Sequence, residues 1–251
     1  YSAIPNKGIH AALKKLRRAV DTVPDEMPYC LKIDCKKFYP SIDHELLKQA
    51  FRKKYKDPDL LELIDEIIDS ISTCPATEEN IEFYRSCGNE IKIVEFSGQE
   101  FIEGVGIPIG NYFSQYDGNF YLTPFDHWMK EVKRVKHYYR YMDDICIFAQ
   151  TKEELHALLQ EIDEYFRTKL KLRIKGNYQI FPSFIRGVDF VGYRVFKDYT
   201  LLRKSTCLEF ERKMTAIREK VESGKQMNYS EWCSIQSYKG WLKWCDSSQL
   251  Y

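Results

Sequence analysis

Residues 136–149 read Lys136-His137-Tyr138-Tyr139-Arg140-Tyr141-Met142-Asp143-Asp144-Ile145-Cys146-Ile147-Phe148-Ala149. Two short apolar strands, 136–141 and 145–149, are joined by Met142-Asp143-Asp144. Strands this apolar belong inside a core, and their turn presents adjacent carboxylates to one cleft. Aspartate is a common turn residue, and the pair alone favours an ordinary turn. Two details count against that. The flanking strands make the hairpin central to a core, and the turn lacks the Asn-Gly or Asp-Gly chemistry of a tight hairpin.

Outward from this hairpin, helices are expected over 8–20, 43–55, 58–73 and 111–130 from apolar spacing and from Asp57-Pro58, a cap followed by a first-turn proline. Pro24 and Pro28 break the chain before a strand over Tyr29–Asp34. Residues 91–96 and 100–105 suggest a hairpin around Ser97-Gly98, and Gly104–Gly110 a loop. Thr151 with Glu154 forms a capping box for a helix over 151–168. A β-rich stretch, 178–203, precedes two closing helices, 204–223 and 229–245. The order gives an α+β fold with an antiparallel sheet and packed helices over 1–203, then a helical segment, 204–251.

The chain has 251 residues, 44% hydrophobic and 30% charged, enough to bury a sizeable core. Lys+Arg number 38 against 37 Asp+Glu, a net +1 that excludes a binder held by bulk positive charge but not a local basic groove. Apolar runs are short, so no membrane-spanning helix and no signal peptide are expected. The first residue is Tyr1, as in a processed chain or a fragment. None of the eight cysteines forms C-x-x-C, which suggests buried thiols in a reducing cytoplasm rather than zinc or a disulfide framework.

A second carboxylate, Asp34, ends an apolar strand and is followed by aromatic Phe38 and Tyr39. If this strand lies beside the hairpin, Asp34 meets Asp143 and Asp144. Three carboxylates together repel and raise one another's pKa values. Two Mg²⁺ ions about 3.5–4 Å apart would relieve that repulsion and could drive in-line nucleotidyl transfer. Oxygen-only ligation favours Mg²⁺, with Mn²⁺ as a substitute, over zinc or copper.

Four segments in order carry a resemblance. They are Asp34 with Phe38-Tyr39-Pro40-Ser41-Ile42-Asp43-His44, Gly106-Ile107-Pro108-Ile109-Gly110-Asn111-Tyr112-Phe113-Ser114-Gln115, Tyr141-Met142-Asp143-Asp144, and Phe190-Val191-Gly192-Tyr193. They resemble the palm motifs of reverse transcriptases. The resemblance implies a right-hand polymerase, with palm and partial fingers over 1–203 and the start of a thumb beyond. It implies metal binding by Asp34, Asp143, Asp144 and the Cys35 carbonyl. Tyr39, beside Phe38, becomes the ring under the incoming sugar. Ile109 and Gly110 lie near the templating pair, and Lys175 is the phosphate-side lysine. Tyr141, Met142, Gly192 and Tyr193 lie along primer and template, Gly192 letting backbone approach the primer.

Group II intron enzymes usually carry Gln where Ile109 stands and Pro where Gln115 stands. The pattern here is similar to reverse transcriptases of bacterial and phage diversity-generating retroelements, as is the opening Tyr1–His10. That implies error-prone copying of a template RNA into cDNA from a nucleic-acid primer and dNTPs, in the cytoplasm, with a small basic accessory protein. The upstream fingers motifs would precede Tyr1. Another bacterial reverse transcriptase, group II-like or phage-defence, and a non-catalytic palm-like RNA-binding module are the competing readings. Ser114, Gln115 and Asn119 are expected on one helix face, with Gln115 alternatively a buried backbone cap. Arg52–Lys56 and Arg167–Lys175 fit either phosphate contact or a solvated face. Trp232, Trp241 and Trp244 suggest core packing of the closing helices.

Overall fold

A computed structural model of the chain describes residues 4–22, 27–110 and 112–246. Tyr1–Ala3, Pro24 and Asn111, which entered the sequence reading, lie outside them.

The central sheet has four antiparallel strands in the order β4-β5-β1-β6: β1 is Tyr29–Ile33, β4 Tyr138–Tyr141, β5 Asp144–Ala149 and β6 Gln179–Pro182. The two central strands, β1 and β5, carry most of the buried side chains because both of their faces are covered. Leu31, Ile33, Ile145 and Ile147 face one core. That core is closed by α2 (His44–Lys54), α3 (Pro58–Asp69), α5 (Tyr112–His127) and α6 (Lys152–Tyr165). Cys30, Cys146 and Phe148 face a second core. It is built with α1 (Ile9–Thr22) and a separate three-stranded sheet of β7 (Val188–Phe190), β8 (Tyr193–Val195) and β9 (Thr200–Leu202).

Local chemistry sets the element ends. The capping box forms as expected, Thr151 Oγ1 accepting from the Glu154 N–H at 3.1 Å. Asp43 and Asp57 cap α2 and α3. Ser97 and Gly98 both have positive φ, the geometry of a type I′ turn, and join β2 (Ile93–Phe96) to β3 (Gln99–Ile102). The helix expected over 58–73 stops at Asp69. The sequence reading gave no helix after it, yet α4 (Glu78–Ser86) starts from a Thr77 cap with Glu78 and Glu79 in its first turn. The β-rich stretch is interrupted by a single helical turn, α7 (Ser183–Arg186).

The closing helices, α8 (Lys204–Glu222) and α9 (Tyr229–Leu242), differ in how they pack. α8 has no fully buried side chain, whereas Leu242, Trp241 and Trp244 join the second core. His10 of α1 stacks on Trp244 with centroids 4.5 Å apart. The packing expected of the tryptophans holds for Trp241 and Trp244; Trp232 is exposed. All eight cysteines are free, and no helix among the described residues is long and apolar enough to cross a membrane.

Candidate active site

The register of β1 against β5 pairs Ile33 with Ile145, so the chain leaves β1 with Asp34 beside Asp144 at the hairpin turn. Asp34 and Asp143 lie close enough for one carboxyl to hydrogen-bond the other. Burial first, then Asp34, pushes the Asp143 carboxyl up to about 7. Burial also raises Asp144, with Lys32 opposing the shift. Lys32 forms an ion pair with Asp144, and Lys175 forms one with Asp34. The Lys175 N–H also donates to the Asp34 carbonyl at 2.9 Å. Cys35 sits at the same strand exit, opposite Ile174 in an isolated bridge. Among the described residues, no three His, Cys, Asp or Glu side chains are arranged as a ready metal-ligand group. Two carboxylates meet, and the third is turned to a lysine.

The turn itself is gripped from below. Met142 has φ +55° and its carbonyl accepts from Arg140 Nη1 at 2.9 Å. The Arg140 guanidinium forks onto Asp126 of α5, with Nε to Oδ1 at 2.7 Å, and Tyr138 donates to the same oxygen at 2.6 Å. Asn119 of α5 accepts from Nη1 at 3.4 Å.

Phe38 is buried and Tyr39 half-buried, their ring centroids 5.4 Å apart. Burial, then the charges of Asp143 and Asp117, pushes the Tyr39 hydroxyl up to about 12. The glycine loop is stitched to this segment: Gly106 N–H donates to the Ile42 carbonyl at 2.7 Å and Ile107 N–H to Tyr39 at 3.1 Å. Gly106 has φ +88° and a Cβ there would meet the Pro40 carbonyl at 2.8 Å, so both conformation and space call for glycine. Ile109 is 77% exposed and Gly110 has open space around it.

Two expectations need correction. Ser114 is buried, its hydroxyl donating to the Pro108 carbonyl at 2.7 Å, whereas Gln115 is exposed, so Gln115 is no buried cap and the two do not share a surface. Tyr193 is 0% exposed, and its hydroxyl donates to the Trp241 carbonyl at 3.2 Å; its side chain is a packing group. The close approach at Gly192, φ +87°, is to the Trp241 ring, which a Cβ would meet at 2.6 Å. Gly192 therefore seats α9, a role separate from the backbone approach to a primer expected of it.

The family model described as "Reverse transcriptase (RNA-dependent DNA polymerase)" matches residues 4–179, more than half the chain. The chain belongs to the reverse transcriptase family. No curated protein matches it in sequence. Among solved structures it resembles apo telomerase from Candida tropicalis truncated from its C-terminal domain, at 16% identity and TM-score 0.52, covering 79% of this chain and 40% of that one. It also resembles Candida tropicalis telomerase in complex with a TWJ fragment of telomeric RNA, at 13% identity and TM-score 0.50, covering 75% of this chain and 32% of that one. The likeness is one of fold, and the chain spans well under half the length of either telomerase. The expected α+β palm with its antiparallel sheet is the fold observed.

Within this reverse transcriptase palm, sequence reasoning missed Lys32, Arg140 and Asp117. Lys32 and Arg140 were legible as cations on otherwise apolar strands. Asp117 was legible as an acid on the buried stripe of α5, between Ser114 and Tyr121. It is 3% exposed, and its Oδ1 has no hydrogen-bond partner. Burial pushes its carboxyl up to about 7. The family generally uses divalent metal ions, and the all-oxygen carboxylates of Asp34 and Asp143, crowded at one strand exit, fit a hard cation.

A raised carboxyl favours the fold below its free value and loses that contribution as pH rises through about 7. Asp117→Asn should therefore stabilise the fold at pH 8.5 by roughly 2 kcal/mol and change little at pH 4. Denaturant unfolding at both pH values measures this; Asp143 titrates in both proteins, so the difference isolates Asp117. An equal effect at both pH values would contradict it.

Arg140→Met leaves the Asp126 carboxylate without its fork and frees the Met142 carbonyl. Because Asp126 is only partly buried, the expected loss is roughly 2–3 kcal/mol. Adding Asp126→Asn should recover part of it in the same unfolding measurement.

Proposed function

We propose that this chain is the palm, with partial fingers over 1–203 and the start of a thumb over 204–251, of an RNA-directed DNA polymerase. It would extend a nucleic-acid primer along an RNA template with deoxynucleoside triphosphates. The observation that carries the reading is the meeting of Asp34 and Asp143 at the exit of β1, in a chain of the reverse transcriptase family. A non-catalytic RNA-binding module has no use for two crowded, partly buried carboxylates.

Asp34, Asp143 and Asp144, with the Cys35 carbonyl, would hold the divalent cations, Mg²⁺ or Mn²⁺. Bound there, such cations supply charge neutralisation for the triphosphate and acidify the primer hydroxyl. The primer 3′-oxygen forms a bond to the α-phosphorus, the bond from that phosphorus to the bridging oxygen breaks, pyrophosphate leaves, and the hydroxyl proton passes to solvent. Lys175, half exposed and paired with Asp34, would be free to offer its ammonium to the phosphates were Asp34 to ligate a cation. Lys32, paired with Asp144, opposes the rise that burial imposes on that carboxyl. The Tyr39 ring excludes a 2′-hydroxyl.

The retroelement subtype rests on Ile109 and Gln115, both exposed. An apolar group at Ile109 cannot hydrogen-bond near a nascent pair, and a net hydrogen bond is worth about 0.5–1.5 kcal/mol, up to tenfold in selectivity. With a net charge of only +1, affinity for nucleic acid would come from basic segments outside this chain or from a basic partner, and the retroelement resemblance favours a small basic accessory protein.

Asp34→Ala or Asp143→Ala should lower Mg²⁺-dependent primer extension on an RNA template by about a thousandfold or more, since several kcal/mol of charge stabilisation is lost. The metal-free thermal midpoint should stay level or rise, because repulsion is relieved. Extension at the wild-type rate would end the assignment.

Ile109→Gln should lower misincorporation opposite template adenine by up to about tenfold. Sequencing of extension products from wild type and variant gives the frequencies at all four template bases. Accurate wild-type copying of adenine would remove the retroelement subtype and leave the polymerase reading standing.

A further inference from the structure

Glycine in the middle of a helix weakens it relative to alanine, so its presence there needs a reason in space. Gly118 lies seven residues into the sixteen-residue α5. A Cβ at Gly118 would meet Phe38 Cε1 at 2.9 Å, Tyr39 Cε1 at 3.5 Å and Met142 Cε at 3.6 Å. Three parts of the site thus converge on one missing methyl: the ring pair that follows Asp34 and the residue before Asp143. Phe38 is only 3% exposed, so its ring has no open side into which to retreat. Any displacement of it passes to Tyr39, packed against it at 5.4 Å. Tyr39 in turn is bounded by α5 at Gly118 and by the charge of Asp143.

We propose that Gly118 is a specificity-determining position that acts through Phe38 and Tyr39, setting how deeply the Tyr39 ring sits beneath the incoming sugar. This rests on the reading of Tyr39 as the sugar-excluding ring. The glycine gives the ring pair its seat on the helix. A side chain there drives Phe38 and Tyr39 off α5 and narrows the space left for a nucleotide. Loss of the Phe38 ring does the reverse, removing what Tyr39 leans on and widening that space.

The test is steady-state primer extension by the full chain, with dNTP and rNTP compared at one template position. Gly118→Ala should raise the KM for dNTP by about tenfold, the cost of overpacking, with a much smaller change in kcat. Phe38→Leu in the Gly118→Ala background deletes the colliding Cε1 and should return KM toward wild type. Phe38→Leu alone should increase the ratio of rNTP to dNTP incorporation several-fold, an arm that does not depend on Gly118→Ala folding. Tyr39→Val is the reference and should increase that ratio further.

A raised thermal midpoint for Gly118→Ala with unchanged KM would mean that the helix gained a methyl at no cost, and would overturn the proposal. So would a Phe38→Leu enzyme with the wild-type ratio while Tyr39→Val changes it; in that case the Tyr39 reading stands. If Tyr39→Val itself leaves the ratio unchanged, both fall.

Discussion

The pairing of Ile33 with Ile145 is the constraint from which the site follows. In antiparallel strands the side-chain period is two, so slipping this register by one residue would turn Leu31, Ile33, Ile145 and Ile147 out of one core and Cys30, Cys146 and Phe148 out of the other. With both faces buried, no alternative register is tolerable. The same alternation puts Lys32 and Asp34 on one face, two residues apart, and Asp144 diagonal to Lys32 across the strand pair. The carboxylates are brought together by apolar packing that has no need of them.

That placement is electrostatically unfavourable, and the structure shows how it is tolerated. Lys175 answers Asp34 and Lys32 answers Asp144, while Asp143, beside Asp34, is left with its carboxyl raised to about 7. Lys32 is further steadied over the Phe190 ring, its Nζ 5.2 Å from the centroid, which ties the central sheet to β7. Such a cluster opposes folding at neutral pH and persists because the surrounding cores over-determine it.

What the sequence made legible was whatever depends on near neighbours. The Thr151–Glu154 box, the Asp57-Pro58 start and the Ser97-Gly98 turn are each set by chemistry within four residues, and each appears as expected. The strand that ends at Asp34 and the hairpin at Asp143 were likewise visible as apolar runs with acids at their ends. The local signal for α4 was present in Thr77-Glu78-Glu79 and went unread, because apolar spacing alone is weak in a nine-residue helix. What could not be read depends on partners far along the chain. At Gly192, where the resemblance implies a backbone approach to a primer, the group that needs the missing side chain is Trp241, 49 residues on. Tyr193 looked like part of the same surface but is buried against that helix and His10. Lys32 and Asp144 are 112 residues apart and could be matched only once the register was known.

α5 links these observations mechanically. Its Asp126 and Asn119 hold Arg140, and through Arg140 the Met142 carbonyl of the carboxylate turn. Its Gly118 takes the Phe38–Tyr39 ring pair and the tip of Met142, and its Ser114 fixes the Pro108 carbonyl at the base of the glycine loop. One rigid helix therefore supports the turn, the rings and the loop, so their spacing is kept by a single body rather than by three independent contacts. The exposed tip of that loop, Ile109 and Gly110, is outside this support. Substitutions at the tip can alter what it meets without touching the residues that α5 holds. The exposed loop tip and the geometry of the carboxylate pair can accordingly change independently in this palm.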